Sequence, residues 1–212
     1  MVDRRSRPRA GLSREKVLDA AIAYVDEHGL DALSTRKLGA ALGVEGMTLY
    51  HYVPSKAALL DGMVERLLEG ADLLPAAGTP WPEAVRRTAR QLRAALLRHP
   101  ALLGVLATRP AASPQALRIL EAGLALLREQ GVPLAVAMDL LNAVTMFTVG
   151  HTLAEAGRTP GHEEAEPEPA DTAGFPVLAE VFATGAGLDF DARFTRTVDL
   201  LIAGYGADVP AE

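Results

Sequence analysis

Residues 35–61, TRKLGAALGVEGMTLYHYVPSKAALLD, decide the fold of this 212-residue chain. Apolar residues at helical spacing predict a short helix over residues 35–42. A glycine-bounded turn follows at residues 43–46, and residues 46–52 can form about one and a half further helical turns. Pro54 prevents that helix from continuing, because proline cannot donate the required backbone hydrogen bond. The stretch therefore predicts two short helices joined by a tight turn.

The rest of the chain also has helical periodicity, and no stretch alternates strictly enough to indicate a strand. Ser13, Ser34 and Ser55 are placed to cap helices. The predicted elements are helices over residues 13–28, 35–42, 46–52, 55–74, 81–99, 113–131, 133–156, 175–184 and 191–205, with a short segment at 100–109. The sequence therefore predicts an all-α protein.

Composition limits the classes of function. The chain is 49% hydrophobic and has no cysteine, which excludes disulfides, thiol nucleophiles and cysteine-ligated metals. Residues 1–16 are basic, but no apolar stretch follows them directly, so no secretory signal is expected. The longest strongly apolar run, residues 140–154, is shorter than the roughly 18 to 20 residues that a bilayer span needs. We expect a cytoplasmic protein with no membrane partner.

Charge is distributed unevenly along the chain. The net charge is −6, yet residues 1–56 carry a formal charge of +2 and the remainder −8. Four arginines stand in residues 4–9, RRSRPR. A basic end on an acidic protein indicates a surface that faces a polyanion. A solvated, disordered tail is the alternative.

A long helix and two short ones, in this order, are typical of a helix-turn-helix DNA reader. In the predicted helix over 46–52, Leu49 and Val53 lie four residues apart and are expected to face the supporting helices. The side chains that project elsewhere can contact phosphates and base edges; they are Thr48, Tyr50, His51 and Tyr52. Alternatively, the two tyrosine rings pack against the first helix with only their tips wet, and His51 is merely solvated.

The same residues resemble a known family. Thr35-Arg36, the LG-x-x-LGV run at 38–44, Thr48-Leu49-Tyr50, and Lys56 with Leu59-Leu60 are similar to the DNA-binding domain of the TetR family of bacterial transcriptional regulators. The closest similarity is to the tetracycline repressor-like subgroup. The resemblance implies an N-terminal three-helix helix-turn-helix domain and a larger C-terminal helical domain for ligand binding and dimerisation.

The resemblance also implies site residues. Those expected to approach DNA are Thr35, Arg36, Gly46, Met47, Thr48, Tyr50, His51, Tyr52 and Lys56. At Gly46-Met47 the subgroup has glutamine and proline instead, and a glycine reads no base, so we expect a different operator sequence. The expected boundaries are residues 1–56 for the arm and DNA-binding domain, with helix 55–74 as connector, and residues 57–212 for the second domain. Residues 158–174, rich in acidic residues and helix breakers, are expected to form a mobile loop.

Two later stretches, ALLRHPALLGVLATRP at 95–110 and FTVGHTLAE at 147–155, are similar to segments that line the family's drug pocket. The expected ligand-binding residues are Leu106, Thr108, Arg109, Asn142, Phe147, His151 and Glu155. The family position of a magnesium-holding histidine corresponds here to Val105, so we expect neither a metal nor a magnesium–tetracycline ligand. On helix 133–156, Asn142, Thr145, Thr148 and Thr152 recur at i+3 or i+4 and so share one side, while His151 and Glu155 lie four residues apart and could both reach one ion or one ligand. These polar residues can equally form a helix–helix interface with satisfied hydroxyls.

Helices 133–156 and 191–205 carry apolar residues on more than one face, which predicts a second partner beyond the chain's own core. The residues concerned are Val136, Leu140, Leu141, Val144 and Phe147 on the first helix, and Phe194, Val198, Leu201, Ile202 and Tyr205 on the second. We expect that partner to be a second copy of the chain.

The sequence therefore predicts a transcriptional repressor that binds a palindromic double-stranded DNA operator as a homodimer and is released by a small-molecule effector. No cofactor is expected. One alternative is an all-helical enzyme acting on a small apolar substrate, although the G-x-x-x-x-G-K-S/T and H-E-x-x-H motifs are absent. The other is a nonspecific or architectural DNA binder, which the net charge of −6 disfavours.

Overall fold

The computed structural model describes residues 11–108, 113–156, 172 and 174–209. Within those ranges every regular element is helical, which confirms the all-α prediction. Three 3-10 helices span Leu30–Ala32, Gly46–His51 and Pro100–Leu102. The α-helices are α1 (Arg14–His28), α2 (Thr35–Ala41), α3 (Lys56–Glu69), α4 (Trp81–Arg98), α5 (Leu103–Thr108), α6 (Pro114–Glu129), α7 (Leu134–Ala156), α8 (Pro176–Thr184) and α9 (Phe190–Gly206).

Serine caps fix the starts of four helices. The hydroxyls of Ser13, Ser34 and Ser55 accept hydrogen bonds from the backbone N–H groups three residues on, at 3.2, 3.3 and 3.1 Å. Ser113 does the same for α6 at 3.2 Å. Each cap satisfies a backbone donor that the helix itself leaves unpaired, and contributes about 1 kcal/mol. The helix starts that the sequence predicted are therefore correct to within one or two residues.

Two predicted helices differ from the structure. Residues 46–52 were expected as a regular helix, whereas Gly46–His51 is a 3-10 helix; we call it the reading segment. The connector was expected to reach residue 74, but α3 ends at Glu69. The chain turns instead at Asp72, which has a left-handed backbone with φ of 48°. Arg87 holds this turn through the Asp72 carboxylate and the Leu74 carbonyl.

One hydrophobic cluster, here called the head core, joins the N-terminal helices to the helices that follow. It contains Leu18 of α1, Leu49, Met63 of α3 and Leu96 of α4, all with 2% exposure or less, together with the buried Val105 of α5. Ion pairs brace α1 against α3 at its edge, from Arg14 to Glu65 at 3.0 Å and from Arg66 to Asp19 at 2.7 Å. The first three helices and the beginning of the larger helical region thus share a core.

A second cluster, the body core, lies between α4, α7 and α9. All ten residues named from the sequence as evidence for a second partner pack in or against this cluster of the same chain, five of them buried and five only partly buried. That a second copy of the chain covers these helices stays a prediction. The exposed apolar residues of these helices are different ones, because core packing selected another face. They are Leu134, Met138, Met146 and Leu153 on α7 and Leu200 on α9.

Among the described helices, α7 alone has the length and composition to cross a membrane, with 23 residues and a mean hydropathy of 1.3. It is longer than the apolar run of residues 140–154 on which the sequence-based expectation relied. It packs against α4, α6 and α9, and a core helix meets the same criteria. Two other predictions, the mobile loop at 158–174 and contacts from the arginines of residues 4–9, fall wholly or mostly outside the described residues.

Candidate nucleic-acid interface and ligand cavity

The reading segment sits on α2 through backbone contact. A Cβ atom added to Gly39 would lie 2.9 Å from both Cα and N of Gly46, and one added to Gly46 would lie 3.0 Å from the carbonyl oxygen of Thr35. A side chain at Gly39 would therefore displace the backbone of the reading segment, and one at Gly46 would require the backbone of α2 to shift by a few tenths of an ångström. Leu49 and Val53, at 0% and 3% exposure, anchor the segment from the other side, as the sequence predicted. Gly46, expected to approach DNA, is thus also a packing residue.

The other predicted DNA-contacting residues divide into two groups. Five have exposed side chains: Arg36, Met47, Tyr50, His51 and Lys56. Three are half-buried: Thr35, Thr48 and Tyr52. Tyr52 packs against the head core, whereas Tyr50 is 42% exposed. The alternative in which a tyrosine ring packs against the protein with only its tip in water therefore fits Tyr52 but not Tyr50. The five exposed residues lie on α2, in the reading segment and at the start of α3, and α2 packs directly against the reading segment; we call their exposed side the reading surface.

That surface carries cations without carboxylate partners. Arg36, Lys37 and Lys56 form no ion pair in the described part of the chain, whereas Arg14 and Arg66 of the same region are paired. Lys37 was not among the predicted site residues, although its position beside Arg36 could have indicated it. Unpaired cations next to an exposed tyrosine match the contacts that proteins make to phosphates.

A cavity of about 200 Å³ lies among the helices that follow α3. Its walls come from α4, α5, α6 and α7, together with Leu68 at the end of α3 and the loop after it. Of the seven expected ligand-binding residues, Leu106 and Asn142 line it. The sequence analysis had placed Thr145 and Thr148 on the same helix side as Asn142, and both also line the cavity. Thr88 of α4 lines it too, but nothing in the sequence had singled this residue out.

The other five expected ligand-binding residues either lie away from the cavity or fall outside the described residues. Phe147, His151 and Glu155 are not part of the cavity lining, because on α7 they face α4 and α9 rather than α6. Thr108 is exposed, and its hydroxyl donates to the Gly104 carbonyl at 2.7 Å. Arg109 lies outside the described residues.

Glu155 is engaged by a residue far away in sequence. Both of its carboxylate oxygens accept hydrogen bonds from Arg93 of α4, at 2.6 and 2.8 Å. Arg93 also donates to Asp191 of α9 at 2.6 Å. These bonds, foremost the one with Glu155, raise the pKa of Arg93, and the bond with Arg93 lowers the pKa of Asp191. In this structure Glu155 therefore links α7 to α4, away from the cavity lining, and its role in ligand binding stays a prediction.

His151 is enclosed by aromatic rings. The centroids of Phe147, Phe190 and Phe194 lie 5.3, 5.5 and 5.3 Å from its own. Both ring nitrogens are buried and have no hydrogen-bond partner among the described residues, and the nearest carboxylate oxygen of Glu155 is 3.7 Å away. Burial lowers the pKa of His151, so its neutral form is favoured.

Comparisons with known proteins agree with this arrangement. Residues 17–63 match the model for bacterial regulatory proteins of the tetR family, and residues 74–209 match the tetracyclin repressor-like C-terminal domain. The class D tetracycline repressor of Escherichia coli is 35% identical over 205 residues, covering 95% of this chain and 93% of that protein.

Two solved structures from Streptomyces coelicolor are similar over most of the chain. One, described as a possible TetR family transcriptional regulator, has a TM-score of 0.78 and 33% identity, and covers 92% of this chain and 99% of its own. The other, ActR in complex with actinorhodin, has a TM-score of 0.77 and 27% identity, with 95% and 100% covered. The chain therefore belongs to the TetR family of bacterial regulatory proteins, which are ligand-responsive, DNA-binding transcriptional repressors.

Proposed function

We propose that the chain represses transcription as a homodimer. Each protomer places one reading segment in the major groove of a palindromic operator, with the two half-sites about 34 Å apart. The observation that carries this proposal is the surface on which Arg36, Lys56 and Tyr50 lie exposed beside the reading segment. The arginines of residues 4–9 add contacts to phosphates or to the minor groove. Such a regulator acts on chromosomal DNA in the cytoplasm and needs no enzymatic activity.

Exposed apolar side chains support the dimer. Met146 of α7 and Leu200 of α9 are 73% and 62% exposed, and Val177 and Phe182 of α8 are 74% and 46% exposed. Large apolar patches on a single chain are typical of interaction surfaces. A two-fold axis would bury the same patch on both protomers.

The cavity supports the effector-dependent step. ActR was solved with actinorhodin and class A TetR with 5a,6-anhydrotetracycline and magnesium. In this chain Leu68, at the end of α3, contributes to the cavity wall, while Lys56, at the start of the same 14-residue helix, is near the reading segment. A ligand that shifts α3 would change the spacing of the two reading segments. A coupling of about 1 to 3 kcal/mol would change operator affinity roughly 5- to 150-fold.

Val105 makes the effector different from that of the tetracycline repressors. Its side chain is buried in the head core and cannot ligate a metal. We expect magnesium–tetracycline to leave the operator complex intact. Release of the operator by micromolar drug in a gel-shift titration would contradict this expectation.

A gel shift on the DNA upstream of the gene tests the proposal. One discrete complex on a short palindrome, resistant to competitor DNA, is the expected result. Equal affinity for operator and competitor would favour a nonspecific binder instead. For the enzyme alternative, the described residues contain no group of three or more His, Cys, Asp or Glu that could hold a metal ion. A catalytic turnover of the effector by purified protein would favour that alternative.

A further inference from the structure

The threonines of α7 differ in how their hydroxyls are used. Thr145 donates to the Leu141 carbonyl at 2.7 Å and Thr152 to the Thr148 carbonyl at 2.6 Å, the usual bond of a helical threonine to the carbonyl four residues back. Thr148 does not follow this pattern. It is 0% exposed, and its Oγ1 atom has no hydrogen-bond partner in the described part of the chain. A buried hydroxyl without a partner is costly, so its donor is available to a ligand.

The position of Thr148 in the cavity is informative. Thr148 lines the cavity and is fully buried, whereas Asn142 and Thr145 line it from the exposed part of the same helix face. Six residues separate Asn142 from Thr148, which is about 9 Å along a helix. The cavity wall on α7 therefore has a polar group at its closed end and polar groups near its opening. Apolar side chains from α4 and α6 stand opposite.

The charge of the lining restricts the ligand further. No lysine, arginine, histidine, aspartate or glutamate is among the described residues that line the cavity. A charged group would lose its hydration there without gaining a partner, which is strongly unfavourable. The cavity therefore favours an uncharged molecule.

We propose that the effector is an uncharged molecule of about 9 to 10 Å in length whose innermost group is a carbonyl or ether oxygen that accepts a hydrogen bond from Thr148 Oγ1. This inference rests on the proposed function of the cavity as an effector site. It extends that function by assigning the chemical class of the ligand and the residue that recognises it.

Three rod-shaped probes of nearly the same shape test it: 4-acetylbiphenyl, 4-isopropylbiphenyl and biphenyl-4-carboxylate. Calorimetry on the full-length protein should give about tenfold tighter binding of the ketone than of the isopropyl compound, the value of one buried hydrogen bond. The carboxylate should bind at least tenfold more weakly than the ketone.

Variants on the same helix provide the controls. Thr148→Val keeps the shape and removes the hydroxyl, so it should abolish the preference for the ketone and leave binding of the isopropyl compound unchanged. Thr145→Val and Thr152→Val remove hydroxyls that are already bonded and should retain the preference. Thr148→Ser keeps the hydroxyl donor and should also retain the preference for the ketone. It provides the test if the valine variant does not fold.

Several results would overturn the assignment. They are a preference for the ketone that survives in Thr148→Val, equal binding of ketone and isopropyl compound to the wild type, tight binding of the carboxylate, or no binding of either neutral probe at millimolar concentration. A gel shift on the same samples distinguishes a wrong ligand assignment from failure of the proposed function. Loss of the discrete operator complex in the wild type would contradict the function, whereas an intact complex with no preference contradicts only the ligand assignment.

Discussion

The surface around the reading segment and the helical body both contain polar groups that have no partner among the described residues, but the two regions keep these groups in different surroundings. Around the reading segment, Arg36, Lys56 and Tyr50 are exposed, so water satisfies them at no cost until a polyanion replaces it. In the body, Thr148 and His151 are buried and water does not reach them. The difference indicates that the DNA-facing region gains affinity by charge and counterion release, whereas the body gains it by shape and by single hydrogen bonds.

The largest expected effect concerns Gly39, where α2 contacts the backbone of the reading segment. Gly39→Ala places a Cβ atom 2.9 Å from the Gly46 backbone, so the segment must move away from α2. We expect a loss of stability of about 1 to 3 kcal/mol and a loss of operator affinity of about 100-fold. Thermal unfolding and gel shifts measure both. Gly70→Ala is the control, because the added atom meets nothing closer than 3.7 Å; an equal loss in both variants would refute the steric explanation.

A smaller effect is expected at Tyr50. Tyr50→Ala removes an exposed hydroxyl placed for a phosphate, and one hydrogen bond to a charged group corresponds to about 10- to 100-fold in operator affinity. Tyr50→Phe keeps the ring and should lose nearly as much. Circular dichroism and gel filtration should show a folded dimer in both. Operator affinity equal to that of the wild type in Tyr50→Ala would remove this residue from the interface.

At Lys56 the expected change is in salt dependence. Lys56→Ala removes one cation that has no ion pair among the described residues, so the slope of log affinity against log salt should become shallower by about one. Fluorescence anisotropy at several salt concentrations measures the slope. Arg128→Ala, an exposed cation at the end of α6, should leave the slope unchanged. Identical slopes for wild type and Lys56→Ala would argue against a phosphate contact.

The smallest expected effect concerns buried His151 and the pH dependence of the protein's stability. Burial lowers the pKa of His151 in the folded protein below the value of about 6.5 that it has when unfolded. The unfolded chain therefore binds the proton more readily, and the stability due to neutral His151 is present above pH 6.5 and is lost as pH falls below it. The charged groups that act on the ring are Glu155 of α7, Arg93 of α4 and Arg193 of α9.

Thermal unfolding between pH 7.5 and 5 checks the sign of this effect. His151→Leu should lose less stability than the wild type on acidification, because it removes the buried imidazole. Parallel curves for the wild type and His151→Leu would show that His151 does not contribute to the pH dependence.

Local signals in the sequence determine much of the DNA-facing region. Serine caps, Pro54 and the spacing of Leu49 and Val53 lie within a few residues of the structure they specify, so pattern analysis predicted the helix starts and the buried side of the reading segment. The 3-10 geometry of Gly46–His51 was not predicted, because it depends on backbone contact with Gly39 across a turn. The end of α3 at Glu69 likewise depends on Arg87, 18 residues further along the chain.

The body was less accessible to prediction because its contacts are distant in sequence. The carboxylate of Glu155 is bound by Arg93, 62 residues away, and the i, i+4 spacing of Glu155 and His151 could not indicate this partner. The cavity is assembled from four helices and the end of a fifth. Helical periodicity on α7 correctly placed Asn142, Thr145 and Thr148 on one face, but could not show that the Thr148 hydroxyl, unlike that of Thr145, has no partner in the described part of the chain.

The close contact of Gly39 with Gly46, through which α2 supports the reading segment, affects how the sequence of this protein can evolve. Because the two elements meet through main-chain atoms and the side chains of Met47 and His51 are exposed, neither of these two side chains is needed to hold the segment in place. Replacements at Met47 and His51 can therefore alter the preferred base sequence without loosening the scaffold. We expect related chains with different targets to vary most at such positions, and an operator-switching library confined to them to yield mostly folded proteins.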